Sequence, residues 1–569
     1  MHHSSPKNLA DFLIKTVSDE LLGANIGIDK LNNLNTQFAF ISTDTTLSTR
    51  DNALKELIDE IDENINTFIK THEYFDVLGQ LYIEFLRYAN ADKGLGIVLT
   101  PPHITDFFAE IAGVNKQSII YDNCTGTGGF LISGMNLMIK DAKGDSEKIK
   151  SIKSSQLIGT EYQSHIYALA VSNMFIHQDG KTSIINGSCF DHEIIKNVKS
   201  KKPTIGLLNP PYKAEKKSDT EELQFVLNNL ECLSDGGTCV AIIPMQCALS
   251  QSGKVYELKK ELLRKHTLEA VLSMPDELFF NSKVNVVTCI MVFTAHRKHP
   301  EEKEVFLGYF KDDGFDKRKY VGRIDVRGRW PAIKKYWLSA FRSRKEVSGL
   351  SVKRILNAKD EWCAETYMQT DYSRLNLLTY ENVVREFIAF QFVNKRYPIS
   401  KINIYLNIVS EIDVNKKNIK AVSKETKYVP LHEKFTLTYG CNMELYKLDE
   451  CDKDHDFAIP FVSRTEKNNG VSAFVETISM YMPNPENTLS VAGGGSVLAT
   501  FFQPEPYYSG RDLYYLTPHQ DMSVSEMLYY SMIIKSNAYK YSYGRQANKT
   551  LKDLFVPETM PSEFELGLD

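Results

Sequence analysis

Apolar residues near the start of the chain recur at helical spacing, at Leu54, Ile58 and Ile61 and again at Leu78, Leu81 and Phe85, with acidic residues between them. That pattern predicts a helical leader. Thr100 followed by Pro101 is a favoured cap and first-turn pair, and predicts a helix over Pro101–Ala112. Short apolar runs then alternate with helix-period segments. Strands are expected at residues 118–122, 157–160, 182–185, 204–208, 237–244 and 269–273, with a paired run over 285–294. Helices are expected at 129–139, 165–176, 221–233 and 255–264. Such alternation predicts an α/β fold with a doubly wound, mostly parallel sheet, because parallel neighbours need crossover connections. Beyond Lys345 comes a helical pattern at 379–392. After about Lys427 it gives way to short β-branched and aromatic runs broken by Gly, Pro and Asn. The expected partition is an N-terminal helical domain (1–95), the α/β domain (96–345), a helical connector (346–425) and a C-terminal α+β domain (426–569).

Composition narrows the class. With 569 residues, 43% of them hydrophobic and 24% charged, the chain is too apolar for disorder and too long for one core. No apolar run approaches the roughly 18 residues of a membrane span, and the start lacks a secretory layout, so no membrane partner and a cytoplasmic, bacterial-type location are expected. The nine cysteines are dispersed, without a C-x-x-C pair or zinc spacing, and are expected to be reduced thiols. A net charge of −5 argues weakly against nucleic acid. Its distribution argues the other way, since eleven basic residues lie between Lys317 and Lys345 against one acid, Asp325. That run is a candidate for phosphate contact.

Three motifs carry candidate chemistry. The first predicted strand leads into Asp122-Asn123-Cys124-Thr125-Gly126-Thr127-Gly128-Gly129, whose glycines let a ligand approach the backbone at a strand's carboxyl end. It lacks the Lys-Ser/Thr ending of a P-loop and, at Leu131, the third glycine of a dinucleotide fingerprint. The next strand ends at Glu161, where a carboxylate can accept bonds from ribose hydroxyls. Then Asn209-Pro210-Pro211-Tyr212 follows an apolar strand directly. The Asn209 side-chain oxygen and the Pro210 carbonyl can accept both hydrogens of an exocyclic amine. Pro210 and Pro211 fix that backbone, and Tyr212 offers a face for stacking on a base.

The order Thr100-Pro101, Asp122 to Gly128, Glu161, Asn209 to Tyr212 resembles the amino-methyltransferases of DNA. Residues from about Tyr74 to Lys345 look closest to the modification subunit of type I restriction-modification systems and its type IIB and IIG relatives. The segment from Phe310 to Lys319 is similar to one that follows the catalytic domain there. The resemblance implies a Rossmann-like domain dependent on S-adenosyl-L-methionine, yielding S-adenosyl-L-homocysteine, with no metal required. It assigns the cofactor to Thr100, Pro101, Asp122, Thr125, Gly126, Thr127, Gly128, Glu161 and Ser188. A flipped adenine falls to Asn209, Pro210, Pro211 and Tyr212, with Phe280 as a second aromatic. One departure is Gly187-Ser188-Cys189-Phe190, where many relatives carry an acid at the position of Ser188. Farther on, Ile459 to Gly470, Val491 to Ser496 and Tyr541 to Arg545 resemble target-recognition domains of specificity subunits. Arg464, Asn468, Asn469, Arg511 and Arg545 are the implied DNA contacts. The implied partner is double-stranded DNA, and a nuclease or specificity subunit encoded separately stays open as a second. Transfer to cytosine N4, to RNA or to a protein glutamine are the alternatives, with a binding module that has lost transfer as a third class. Pro275-Asp276 with Glu301-Glu302-Lys303 mimics a nuclease metal site, and is taken as coincidence because both pieces fall within the predicted sheet.

Overall fold

The computed structural model describes residues 5–23, 28–50, 52–66, 98–177, 183–212, 220–282, 284–319, 321–394, 418–423, 425–541, 547 and 550–568. The chain divides into two compact units, Met1–Tyr367 and Met368–Asp569. In the first, helices Pro6–Gly23, Ile28–Phe38 and Ala53–Glu60 form the leader. Leu54 is buried as expected, whereas Ile61 lies exposed at the start of a π-helical turn. Leu78, Leu81 and Phe85 fall outside the described residues.

The strands of this unit are β1 (Ile120–Asp122), β2 (Leu157–Glu161), β3 (Ser183–Asn186), β4 (Ile205–Leu208), β5 (Thr238–Pro244), β6 (Thr267–Ser273), β7 (Thr288–Thr294), β8 (Glu304–Tyr309), the ribbon β9 (Asp316–Arg318) and β10 (Gly322–Ile324), and β11 (Ser351–Ile355). Apart from the ribbon they form one nine-stranded sheet in the order β11-β8-β6-β7-β5-β4-β1-β2-β3. All run the same way except β7 and β11. The central strands are continuously apolar because helices cover both faces. Successive residues alternate between those faces. Ile120 and Leu157 join the core beneath helices Pro102–Ile111 and Gly129–Ala142, while Tyr121 and Ile158 join a second core with Val198 and Cys232. The strand order reverses at β1, with β2 on one side and β4 on the other, so a crevice opens at their carboxyl ends.

Two expected boundaries move. Residues 346–367, expected in a connector, complete the α/β unit. β11 pairs with β8 from Ser351 opposite Gly308 to Ile355 opposite Glu304, Trp362 is buried, and Ser273 donates to the buried Glu365 carboxylate at 2.6 Å. An edge strand with Lys353 and Arg354 among its five residues has no apolar alternation to betray it. The helix Leu377–Val393 is likewise no connector, since Tyr380, Val384 and Phe387 lie in the core of the second unit.

That unit is α+β, as expected. Its strands are β12 (Tyr428–Pro430), β13 (Phe435–Tyr439), β14 (Ala458–Val462), β15 (Val471–Glu476), β16 (Thr488–Ala492), β17 (Thr500–Gln503), β18 (Tyr508–Ser509), β19 (Leu513–Pro518) and β20 (Phe555–Pro557). They form the sheets β13-β19-β16-β17 and β15-β14-β18 and the pair β12-β20. A buried helix, Val524–Lys535, starts from a capping box of Ser523 and Glu526 and fills the core. No helix among the described residues is long and apolar enough to cross a membrane.

Candidate active site

At the carboxyl ends of β1 to β4 lies a cavity of about 320 Å³, within the range of small-molecule sites. It is lined from β1 by Asn123, Cys124 and Gly126, from β2 by Glu161 and Tyr162, from β3 by Ser188 and Phe190, and from β4 by Asn209, Pro210 and Pro211. The three sequence motifs therefore meet where the strand order reverses.

The loop after β1 is built by backbone geometry. Gly126 and Gly128 hold φ of +55° and +91°, which a Cβ disfavours, and Gly128 starts the helix Gly129–Ala142. Glu161 braces this loop, its Oε2 accepting from the Gly126 N–H at 3.0 Å and its Oε1 from the Gln163 N–H at 2.9 Å. Asp122 is fully buried. Its Oδ1 accepts from the Cys124 N–H at 2.9 Å, and its Oδ2 has no partner. Burial first, then the Glu161 charge, pushes the Asp122 carboxyl up to about 8, and burial also raises that of Glu161. Two acids that resist ionisation when alone suit a cationic ligand.

Asn209 is held with one face satisfied and the other not. Its Nδ2 donates to the Val98 carbonyl at 2.9 Å and to Thr100 Oγ1 at 3.0 Å. Both groups accept, so Oδ1 must point the other way, and that oxygen is buried without a partner. Thr100 thus does not cap the following helix as expected. The cap is Pro101, the helix begins at Pro102, and the Thr100 hydroxyl is occupied by Asn209. Ser188 lines the cavity and its Oγ accepts from the Phe190 N–H at 3.3 Å.

Several expected residues are placed elsewhere. Thr125 turns its hydroxyl to the Asp122 and Thr160 carbonyls at 3.0 and 3.2 Å. Thr127 is buried, and its carbonyl accepts from Asn173; both threonines brace the loop rather than line the cavity. Tyr212 packs edge-on against Phe279, with ring centres 5.8 Å apart, and its hydroxyl is buried without a partner. The aromatic neighbour of Tyr212 is therefore Phe279. Phe280 points outward beneath the Lys317 ammonium, 4.5 Å from its ring centre.

Sequence reading missed the cavity's aromatic wall, Phe190 and Phe225, whose rings meet edge-on at 4.9 Å. It also missed a buried amide network beneath it. Asn123 donates to Asn228 and to the Phe225 carbonyl, both at 2.9 Å, and Asn228 donates to the Cys189 carbonyl at 2.9 Å. Asn229 presses so close to β4 that a Cβ on Gly206 would lie 1.9 Å from its Oδ1. The available signal was a pair of asparagines directly after the apolar run Phe225–Leu227.

Six of the eleven residues of the basic run form ion pairs within their own unit. Arg323 pairs with Asp313, Arg329 with Asp312, Arg327 with Asp316, Lys317 with Glu277, and Lys334 and Arg342 with Glu110. The nuclease-like pieces cannot meet. Asp276 follows the carboxyl end of β6 and bonds Lys311, whereas Glu301 to Lys303 precede the amino end of the parallel β8, where Lys303 bonds Glu269.

In the second unit, Arg464 Nη1 bonds Asp512 at 2.8 Å and Asn469 Nδ2 bonds the Phe502 carbonyl at 2.8 Å, so both hold the fold. Gly495, with φ of +69°, packs against Arg464 and joins two of the motifs. Asn468 and Arg511 are exposed, with Asn468 beside Lys467 and Lys535 on a cavity of about 730 Å³. Arg545 lies outside the described residues.

Residues 73–320 match the N-6 DNA methylase family, and residues 424–557 match the type I restriction modification DNA specificity domain. The type II restriction enzyme and methyltransferase RM.BcgI of Heyndrickxia coagulans is 36% identical over 368 residues, which cover 63% of this chain and 56% of that protein. The type I restriction enzyme MpnII methylase subunit of Mycoplasma pneumoniae is 26% identical, over 54% of this chain and 59% of the subunit. A crystal structure of the type I restriction-modification methyltransferase subunit from Streptococcus thermophilus superposes with a TM-score of 0.40 at 19% identity, covering 52% of this chain and 64% of that one. The chain spans a little over half the length of the curated relatives it matches.

Proposed function

We propose that this chain, which joins an N-6 DNA methylase domain to a type I restriction modification DNA specificity domain, is a site-specific adenine methyltransferase. In this reading it transfers a methyl group from S-adenosyl-L-methionine to the N6 amine of an adenine flipped out of duplex DNA. The observation that carries the reading is the Asn209 side chain. Its amide nitrogen is fixed by Val98 and Thr100, its oxygen is buried, unpartnered and directed away from them, and the residue lines the cavity together with Pro210 and Pro211. A buried acceptor left open is costly, and persists where a ligand donates to it.

The cofactor's fit rests on donor chemistry. Glu161 offers carboxylate lone pairs at the end of β2, Asp122 has one buried oxygen without a partner, and Phe190 and Phe225 provide an apolar wall. Asp122 with the Gly126 and Gly128 turns would hold its charged end, Glu161 its ribose, and Ser188 with the aromatic wall its base. When bound, the cofactor supplies an electrophilic methyl group on a cationic sulfur, a good leaving group.

The chain's own task is then positioning. Asn209 Oδ1 and the Pro210 carbonyl accept the two hydrogens of the adenine amine and turn its lone pair towards the methyl group. The two prolines keep these acceptors convergent. No nucleophilic side chain is needed, and the proton of the methylated amine leaves to solvent. Unstacking the adenine costs a few kcal/mol, offset by these bonds and by contact with Tyr212. The second unit supplies the target sequence through outward groups such as Asn468 and Arg511. A nuclease or specificity subunit encoded separately can join the chain, but in this reading the chain transfers the methyl group without it.

The test is incubation of the full chain with unmethylated genomic DNA and S-adenosylmethionine, followed by nucleoside mass spectrometry and position-resolved sequencing. N6-methyladenine at one recurring sequence supports the reading. N4-methylcytosine in its place, or no methylated base, overturns it.

A further inference from the structure

The segment from Phe310 to Lys319 is unexplained by the cavity, yet the structure buries its centre. Asp313 is 1% exposed, and its two oxygens bind different elements. Oδ2 meets His103 Nε2 at 3.3 Å, in the first turn of the helix that follows Thr100, and Oδ1 accepts from Arg323 Nη2 at 2.5 Å. Burial alone would raise this carboxyl, but His103 and Arg323 hold it below the usual carboxylate range, so it is an anion at neutral pH. Gly314, at φ +82°, turns the chain so that Phe315 stacks on His103 at 3.9 Å, with Trp330 edge-on to the same ring at 5.0 Å.

Arg323 carries the connection onward. Its backbone N–H donates to Asn281 Oδ1 at 2.8 Å, within the turn that follows Phe279, and Ser282 Oγ donates to the Leu99 carbonyl at 3.4 Å. A closed ring of contacts results. It runs from Asp313 through His103 to the extended segment carrying Leu99 and Thr100, and through Arg323 and Asn281 to the turn carrying Phe279. At one side of the ring Thr100 orients Asn209, and at the other Phe279 braces Tyr212.

We propose that Asp313 is a positioning residue for methyl transfer. Through His103 and Arg323 it fixes the distance between the amine acceptor Asn209 and the base-side ring Tyr212, without touching substrate or cofactor. This rests on the reading of Asn209 and Tyr212 given above. A charge buried between two cationic or polar partners is strongly destabilising to break, which suits a part that must not move.

Asp313→Asn keeps the shape and removes the charge, and Asn281→Ala opens the ring at its far side without burying an unpaired charge. Both are compared in the full chain with Asp312→Asn, the neighbouring exposed acid, which pairs with the surface Arg329 side chain and accepts from the Gly314 N–H at 2.9 Å, a bond that an asparagine oxygen keeps. The expected result is a kcat lowered tenfold or more in the first two, with affinity for S-adenosylhomocysteine within twofold of wild type, and an unchanged kcat in the third. Hydrogen exchange supplies an arm independent of activity. In Asp313→Asn the amides of residues 99–105 and of 279–284 should exchange faster together, while those of β4 and β5 stay protected. Wild-type kcat in Asn281→Ala, or activity in Asp313→Asn falling only in step with its melting temperature, overturns the proposal. So does faster exchange confined to the ribbon β9–β10. If the wild type transfers no methyl group, the active-site reading falls and the exchange arm alone decides the clamp.

Discussion

Replacing Asn209 with alanine separates the cost of this side chain to the fold from its use in transfer. The substitution removes two hydrogen bonds from Nδ2, to Val98 and Thr100. At about 1 kcal/mol net each, that is a loss of about 2 kcal/mol. It also removes the buried, unpartnered Oδ1, whose desolvation costs about 1–3 kcal/mol in the unliganded protein. The two nearly cancel, so the melting temperature should move by less than about 4 °C, taking roughly 2–4 °C per kcal/mol for a domain of a few hundred residues. Transfer should respond very differently. Removing one preorganised group that meets charge developing in a transition state typically costs about 100- to 1,000-fold in kcat. The assay pairs differential scanning fluorimetry with incorporation of a labelled methyl group into DNA, and calorimetric titration with S-adenosylhomocysteine checks that the cofactor site survives. Activity within tenfold of wild type refutes the argument. So does a fall in melting temperature above about 10 °C, because the side chain would then be a fold element rather than a poised acceptor.

Three further outcomes follow from the same geometry. Thr100→Val removes one of the two acceptors that orient Asn209, and the loss of a neutral bond of about 0.5–1.5 kcal/mol should lower kcat by roughly 2- to 12-fold with cofactor affinity unchanged, as steady-state kinetics will read. The Asp122 carboxyl sits at about 8, above its unfolded value, so the stability it contributes is complete below about pH 4 and is lost as pH rises through about 8. A cationic ligand needs the ionised form. Cofactor affinity measured by calorimetry should therefore climb about tenfold per pH unit from pH 6 towards 8, and Asp122→Asn should flatten that climb; a flat wild-type profile sinks the assignment. Lys259, buried, donates to the Ala248, Ser250 and Asp360 carbonyls at 2.9, 3.1 and 2.8 Å beneath the Trp362 ring. Lys259→Met removes three bonds, leaving the Ala248 carbonyl with the Trp362 N–H, and should cost about 3 kcal/mol, read as a drop of several degrees in thermal melting.

Apart from β8 and β11 the sheet was legible, because its strands are buried on both faces and so read as unbroken apolar runs between helical periods. β7 stood out for the same reason, although nothing in Thr288 to Thr294 announces that it runs antiparallel. β11 was not legible. Lys353 and Arg354 face outward on an edge strand, and their pattern is that of a loop. The boundary at residue 345 moved there, and the connector with it, because the helix Leu377–Val393 packs into a core whose members range from Ala421 and Val422 to Tyr529 and Ile533.

At the site, residue types were legible but directions were not. Gly126, Glu161 and Asn209 line the cavity, and Asp122 lies buried at the end of β1, because each sits at or just past a strand end, and a strand end fixes where the next side chain points. Phe279 and Phe280 show the opposite case. In a tight turn neighbours face opposite ways, so a shift of one residue exchanges a ring packed against Tyr212 for one capped by Lys317. Thr100 shows a third. Its sequence context is that of a helix cap, yet the Pro101 backbone can start the helix without a side-chain bond, which frees the hydroxyl for Asn209. That trade ties the entry of one helix to the orientation of one amide 109 positions away. Local pattern cannot report such a tie, because the partner that outbids the local cap arrives only when β4 docks beside β1.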